Sequence, residues 1–167
     1  MSNHASGFIQ KMKHPLTFRL FLFSKLPAAY FAGVRIREID EQRCVVSVPF
    51  KWLSQNPFRS TYFACLSMAA EMSTGALAMA YLYKSDPPIS MLVTKVESEY
   101  FKKATGRSYF TCTDGSLFRQ AISDCIISNE AKTVKARSVG KNTNGDIVAE
   151  FYITWSFKPK KSLITDL

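Results

Sequence analysis

From Ser60 to Tyr83 the chain reads STYFACLSMAAEMSTGALAMAYLY, and the only residue in it ionised at neutral pH is Glu71. A lone carboxylate in so apolar a stretch is costly to bury unless it is paired or hydrogen-bonded. Burial also favours its protonated form, so it can take a proton from water near neutral pH. General-base chemistry is what this residue offers. A structural carboxylate, held by a backbone amide or a partner subunit, is the competing reading. Ser67 lies one turn before it and Thr74 one turn after; Ser60, Ala64 and Ala78 continue the same spacing of three and four, which is one helix face. Such hydroxyls can hold a water, but more often bond their own helix. Upstream, Asn56 precedes Pro57 and is either a turn former or a polar group at a helix start. Other catalytic apparatus is scarce. The histidines, His4 and His14, lie near the N-terminus, and Cys44, Cys65, Cys112 and Cys125 form no Cys-x-x-Cys pair. This weighs against a Ser-His-Asp triad, a Cys-His pair and a metal site, so no metal is expected. The cysteines read as reduced core residues of a reducing compartment.

A helix over about 60–83 must carry Glu71. Pro57 disfavours helix just before it, Ser60 or Thr61 can cap its start, and Lys84-Ser85-Asp86-Pro87-Pro88 ends it. It is apolar nearly all round, the mark of a buried helix. Met68, Met72 and Met79 are core filler that would also suit the wall of an apolar tunnel. Residues 1–13 are polar without a clear period and read as a loose tail. Residues 14–33 read as a helical segment bent at Pro27. Arg19 interrupts its apolar run, against a secretory signal. A membrane-surface helix is the minor alternative there, and no stretch is expected to span a bilayer. Two strands fill 34–50, with Asp40-Glu41-Gln42 as the turn.

Beyond the long helix the pattern is mostly strand. Residues 90–103, 107–113, 131–141 and 146–158 read as strands, and 114–129 as a short helix or a strand continuation. In the last strand Ile147, Ala149, Phe151, Ile153, Trp155 and Phe157 are expected to face the core. Asn144-Gly145 is a hairpin signal in which both residues take positive φ. The 167 residues suffice for one domain, 1–167, with an antiparallel sheet curled over one helix. The formal net charge of +9 suggests anionic partners, but no arginine-rich segment or binding motif supports nucleic acid.

Three stretches carry a resemblance: Pro27–Val34, PAAYFAGV; Gln55–Glu71, QNPFRSTYFACLSMAAE; and Glu99–Gly106, EYFKKATG. In this order and spacing they resemble the hotdog-fold acyl-CoA thioesterase superfamily, in its uncharacterised thioesterase-like branch with an N-terminal helical extension. The resemblance covers about Leu16 to Phe157. It implies an α+β hotdog fold, a curved antiparallel sheet wrapped around one long central helix. It implies a cytoplasmic homodimer or tetramer that hydrolyses acyl-CoA, or acyl-carrier-protein, thioesters at the subunit interface. No cofactor is implied beyond the coenzyme A of the substrate. Glu71 matches the family's mid-helix acid, general base or nucleophile. Asn56 matches the loop asparagine that orients substrate or water, and the amides of Arg59 and Ser60 stand where an oxyanion hole would lie. Ser67 and Thr74 are candidates for holding the acid or the water, and Lys102 and Lys103 for meeting the phosphates of coenzyme A. Many relatives place His and Gly after the asparagine, whereas this loop reads Asn56-Pro57-Phe58-Arg59. That departure supports an alternative, a non-catalytic hotdog module that binds acyl-CoA or fatty acyl chains.

Overall fold

The computed structural model describes residues 3–160. In chain order the elements are α1 (Asn3–Lys13), α2 (Pro15–Lys25), α3 (Pro27–Ala32), β1 (Arg35–Ile39), β2 (Cys44–Val48), a 3-10 turn (Trp52–Ser54), α4 (Phe63–Leu82), β3 (Ile89–Tyr100), β4 (Ser108–Cys112), α5 (Gly115–Ser128), β5 (Lys132–Asn142) and β6 (Ile147–Pro159). The strands make one six-stranded sheet in the order β1-β2-β4-β5-β6-β3, antiparallel throughout. α4, 20 residues or about 30 Å long, packs against β2, β4, β5 and β6. This is the expected sheet curled over one central helix.

Small residues let sheet and helix approach closely. Ala69, Ala70, Ala78 and Gly75 are buried on α4. A methyl group at Gly75 would lie 3.1 Å from the Trp155 ring, and one at Gly140 of β5 would lie 2.4 Å from Phe110 of β4. Phe110, Phe151 and Phe157 fill the space between. Two buried polar contacts tie α4 to the sheet: the Ser73 and Ser138 hydroxyls lie 2.8 Å apart, and Trp155 Nε1 donates to Thr74 Oγ1 at 2.9 Å. All four cysteines are free and buried, as read from their apolar neighbours.

Several expectations are corrected. The loose tail is instead α1 over its described part; Met1 and Ser2 lie outside the described residues. Ala5, Phe8, Ile9 and Met12 recur at steps of three and four, and α1 buries that stripe against α4. Of the two alternatives for 114–129 the helix holds, as α5 over Gly115–Ser128; its start is pressed on the β1–β2 turn, where a methyl group at Gly115 would lie 2.0 Å from the Glu41 carbonyl oxygen. In β6 the alternation slips by one residue. Gly140 pairs with Ala149 and Lys141 with Ile147, so Val148 bulges. Val148 and Ala149 are both buried and Ile147 is exposed. At the β5–β6 turn only Gly145 has positive φ, +88°; Asn142 Oδ1 accepts from the amides of Asn144 and Asp146 and holds the loop. α4 is long and apolar enough, by length and composition alone, to cross a membrane. Its apolar surface is used for the core, since most of it is buried under the sheet.

Candidate functional site

α4 starts at Phe63 with Tyr62 as its cap residue, and neither Ser60 nor Thr61 caps it. Both are committed elsewhere. The Thr61 amide and hydroxyl donate to the Ala104 carbonyl at 2.8 and 3.0 Å. The Ser60 amide and hydroxyl donate to Asn56 Oδ1, each at 3.2 Å, and the Phe58 amide donates to the same oxygen at 3.0 Å. The Arg59 amide donates to the Asn56 carbonyl at 3.2 Å, with Arg59 itself in the left-handed region at φ 57°. Asn56 is therefore the organiser of its own loop, an Asx-type turn. Its carbonyl oxygen is fully used, while its amide NH2 has no partner among the described residues.

These bonds correct one expected role. The Arg59 and Ser60 amides precede the helix and are already spent, so they have no hydrogen left for an oxyanion. The amides of Phe63 and Ala64, in the first turn of α4, accept no such claim among the described residues. The first-turn amides of a helix have no partner within it, and the helix dipole adds to their pull on negative charge.

The Asn56 loop forms one wall of a cavity of about 750 Å³. Ser60, Lys102 and Lys103 line it with Asn56, and Tyr62, Phe63, Tyr100 and Phe101 add aromatic walls. Lys102 is held by Asp146 at 2.8 Å, whereas Lys103 has no ion-pair partner among the described residues. Arg59, Ser67 and Thr74 are not on this cavity. Ser67 donates to the Phe63 carbonyl at 3.1 Å, an ordinary bond back to the preceding turn. Thr74 is fully buried; it donates to the Glu71 carbonyl and accepts from Trp155 Nε1, both at 2.9 Å. Thr74 thus ties α4 to β6 and is not free to hold water.

Glu71 lies elsewhere. It is on the wall of an apolar cavity of about 280 Å³ beneath the N-terminal helices, with Phe8 and Met12 of α1, Phe18 and Phe21 of α2, and Met79 and Trp155 beyond. A second cavity of about 220 Å³, between α3 and Met68, shares Glu71, Met72, Lys25 and Leu26 with the first. Lys25 lines both cavities, yet the Glu71 carboxylate makes no hydrogen bond or ion pair among the described residues. Burial alone pushes its pKa above the usual carboxylate range. A carboxyl so placed takes up a proton more readily than an exposed one, which suits a general base.

The predicted residues are therefore divided. Asn56, Ser60, Lys102 and Lys103 come together in one cavity, and Glu71 stands in another. The walls given by α1 and α2 were missed, as were the amides of Phe63 and Ala64. The stripe through Phe8 and Met12 was the signal for the former; the latter depend on where the helix begins.

Known structures confirm the architecture. A "Probable Thioesterase" of Pseudomonas aeruginosa, a protein of unknown function, superposes with a TM-score of 0.73 at 17% identity, over 90% of this chain and 99% of that one. A Chlorobaculum tepidum protein of unknown function gives 0.70 at 15% identity, over 87% and 97%. A thioesterase from Haemophilus influenzae gives 0.61 at 11% identity, over 84% and 88%. No curated protein matches. The fold is the α+β hotdog fold that the resemblance implied. The family model described as "Domain of unknown function (DUF4442)" matches residues 17–157, and the chain belongs to that family.

Proposed function

We propose that this protein is a thioesterase, hydrolysing acyl-CoA or acyl-carrier-protein thioesters with Glu71 as general base or nucleophile. The observation that carries the reading is the Glu71 carboxylate, half-buried and without a partner among the described residues, on the wall of an apolar cavity. With no protein group holding it, the carboxylate is left for water or a substrate. Acting as base, Glu71 takes a proton from water, the hydroxide adds to the thioester carbonyl, and the proton passes to the leaving thiolate. The acyl chain occupies the apolar space under α1 and α2, where Met12, Met72 and Met79 adapt to its shape. Lys103 meets a phosphate of the coenzyme. That two structures of the same fold are described as thioesterase in one case and probable thioesterase in another supports the reading.

The division of the site supports a homodimer. Within one chain Asn56 and Glu71 do not share a cavity, and the edge strand β3 carries exposed Leu92, Val96 and Tyr100. An edge of this kind invites pairing with a second copy, which would complete the site at the interface.

The second reading is a non-catalytic module that holds acyl-CoA or a fatty acyl chain. The occupied amides of Arg59 and Ser60 favour it. A thiol-release assay across acyl-CoA chain lengths separates the two. Turnover that disappears in Glu71→Gln establishes the enzyme. Retention of acyl-CoA without thiol release establishes the module.

A further inference from the structure

α2 is apolar on two faces, and only one of them is used. Phe18 and Leu22 are buried against the domain. Leu16, Leu20 and Phe23, spaced four and three apart, share the opposite face and are 66, 69 and 56% exposed. Phe31 of α3 extends this ridge, its ring 6.5 Å from that of Phe23 and itself exposed. The 3-10 turn packs beside α3 and adds Trp52, which at 79% is nearly free in solvent. Single exposed apolar residues need no explanation, but a contiguous ridge of them does.

The helices that carry the ridge bear charge of one sign, and Arg19 and Arg37 lie close to Arg35. Lys11, Lys13, Arg19, Lys25, Arg35 and Arg37 all precede the first acidic residue of the chain, Glu38. α1, α2 and α3 therefore carry no carboxylate. An isologous contact between two copies through this face would set its cations against the cations of the second copy, with no acid on these helices to answer them. The ridge also offers no slot for a protein partner's side chains. Leu16, Leu20, Phe23, Phe31 and Trp52 line none of the cavities described above. They project outward, which suits a deformable apolar medium under an anionic surface.

We propose that the face formed by α2, α3 and Trp52 docks the protein on an anionic lipid bilayer. The helices lie along the interface, Leu16, Leu20, Phe23 and Trp52 enter the acyl boundary, and Arg19 and its neighbours meet the headgroups. The inference rests on exposure and charge, and does not depend on thioesterase activity.

The test uses the full chain with vesicles of phosphatidylcholine, with and without phosphatidylglycerol. The expected result is co-sedimentation with the anionic vesicles, much less with the neutral ones, and weakening as salt is raised. The tryptophans make a built-in reporter, since Trp155 is only 4% exposed and Trp52 is the one that can change environment. Emission should shift to the blue on binding, and the shift should vanish in Trp52→Phe. Leu20→Glu combined with Phe23→Glu should weaken binding roughly tenfold or more. Arg19→Glu should weaken binding to anionic vesicles alone. Circular dichroism and thiol release on a soluble acyl-CoA should be unchanged in both variants. The proposal is overturned by failure to bind anionic vesicles, or by binding without a Trp52 shift, which would mean another face. It is equally overturned if the double variant abolishes self-association in sedimentation velocity, or if an acidic helix-binding protein such as calmodulin captures this face while vesicles do not.

Discussion

The Asn56 loop and the Glu71 cavity are both polar features set in apolar walls, and they are built on opposite principles. In the loop almost every polar atom is used: Asn56 Oδ1 takes three donors, and the Arg59 and Thr61 amides are bonded within the loop or to Ala104. Thr74, though on the Glu71 helix, belongs with the loop in this respect, bonded on both sides. Glu71 has none of this. A polar group bonded on all sides rigidifies the fold, whereas a half-buried one without a protein partner is open to water or a substrate. The contrast separates scaffold from candidate chemistry better than residue type does.

The sharpest way to break the contrast is Glu71→Gln. Thiol release from acyl-CoA should fall by about 10²–10⁴-fold, the usual contribution of a general base. The fold should be unharmed, and stabilised at neutral pH. The sign follows from the raised pKa: a carboxyl whose folded value lies above its ordinary 4.5 binds its proton more tightly when folded. The wild type therefore loses stability as pH rises from about 4.5 through the raised value, and the Gln variant does not. Over the same window wild-type activity should increase, because the ionised form is the base. Thermal melts and rate profiles against pH check both. Undiminished turnover, or a melt that shows the same pH slope, would put Glu71 with the scaffold.

Next in size is Thr74→Val. It leaves Trp155 Nε1 buried without an acceptor and should cost about 1–3 kcal/mol in chemical denaturation, with little change in rate per folded molecule. Loss of rate out of proportion to stability would move Thr74 into the site. A smaller and more discriminating effect is expected at Asn56. Asn56→Ala should destabilise the loop by about 1–2 kcal/mol, and Asn56→Asp should recover most of that, because the carboxylate keeps the acceptor. If Asn56→Asp is stable but inactive, the unused NH2 group serves the substrate, and the loop is more than scaffold. Smallest is Ser67→Ala. Its hydroxyl only bonds the preceding turn, so stability and rate should change within about 0.5 kcal/mol.

The elements were largely legible because their signals are local. The run from Phe63 to Leu82, the alternation from Phe151 to Phe157 and the breaks at Pro27, Pro57 and Pro87-Pro88 each speak over a short window. Misses occurred where the deciding partner is distant. α1 was hidden because its buried stripe is spread among polar residues and needs α4 to make it pay. The Val148 bulge is defined by its register with Gly140 and Lys141, which no single strand contains. The helix start moved from Ser60 to Phe63 because Ala104, some forty residues on, claims Thr61.

What the sequence determined by itself is that one long apolar helix carries one carboxylate and that strands exist to wrap it. Period and composition are properties of neighbouring residues, so they survive without a fold. Tertiary structure decided that the carboxylate stays unpaired, that Asn56 and Glu71 face different cavities, and that α1 and α2 wall the one containing Glu71. Pairing, desolvation and enclosure are set by groups far apart in the chain, and they exist only once those groups have been brought together.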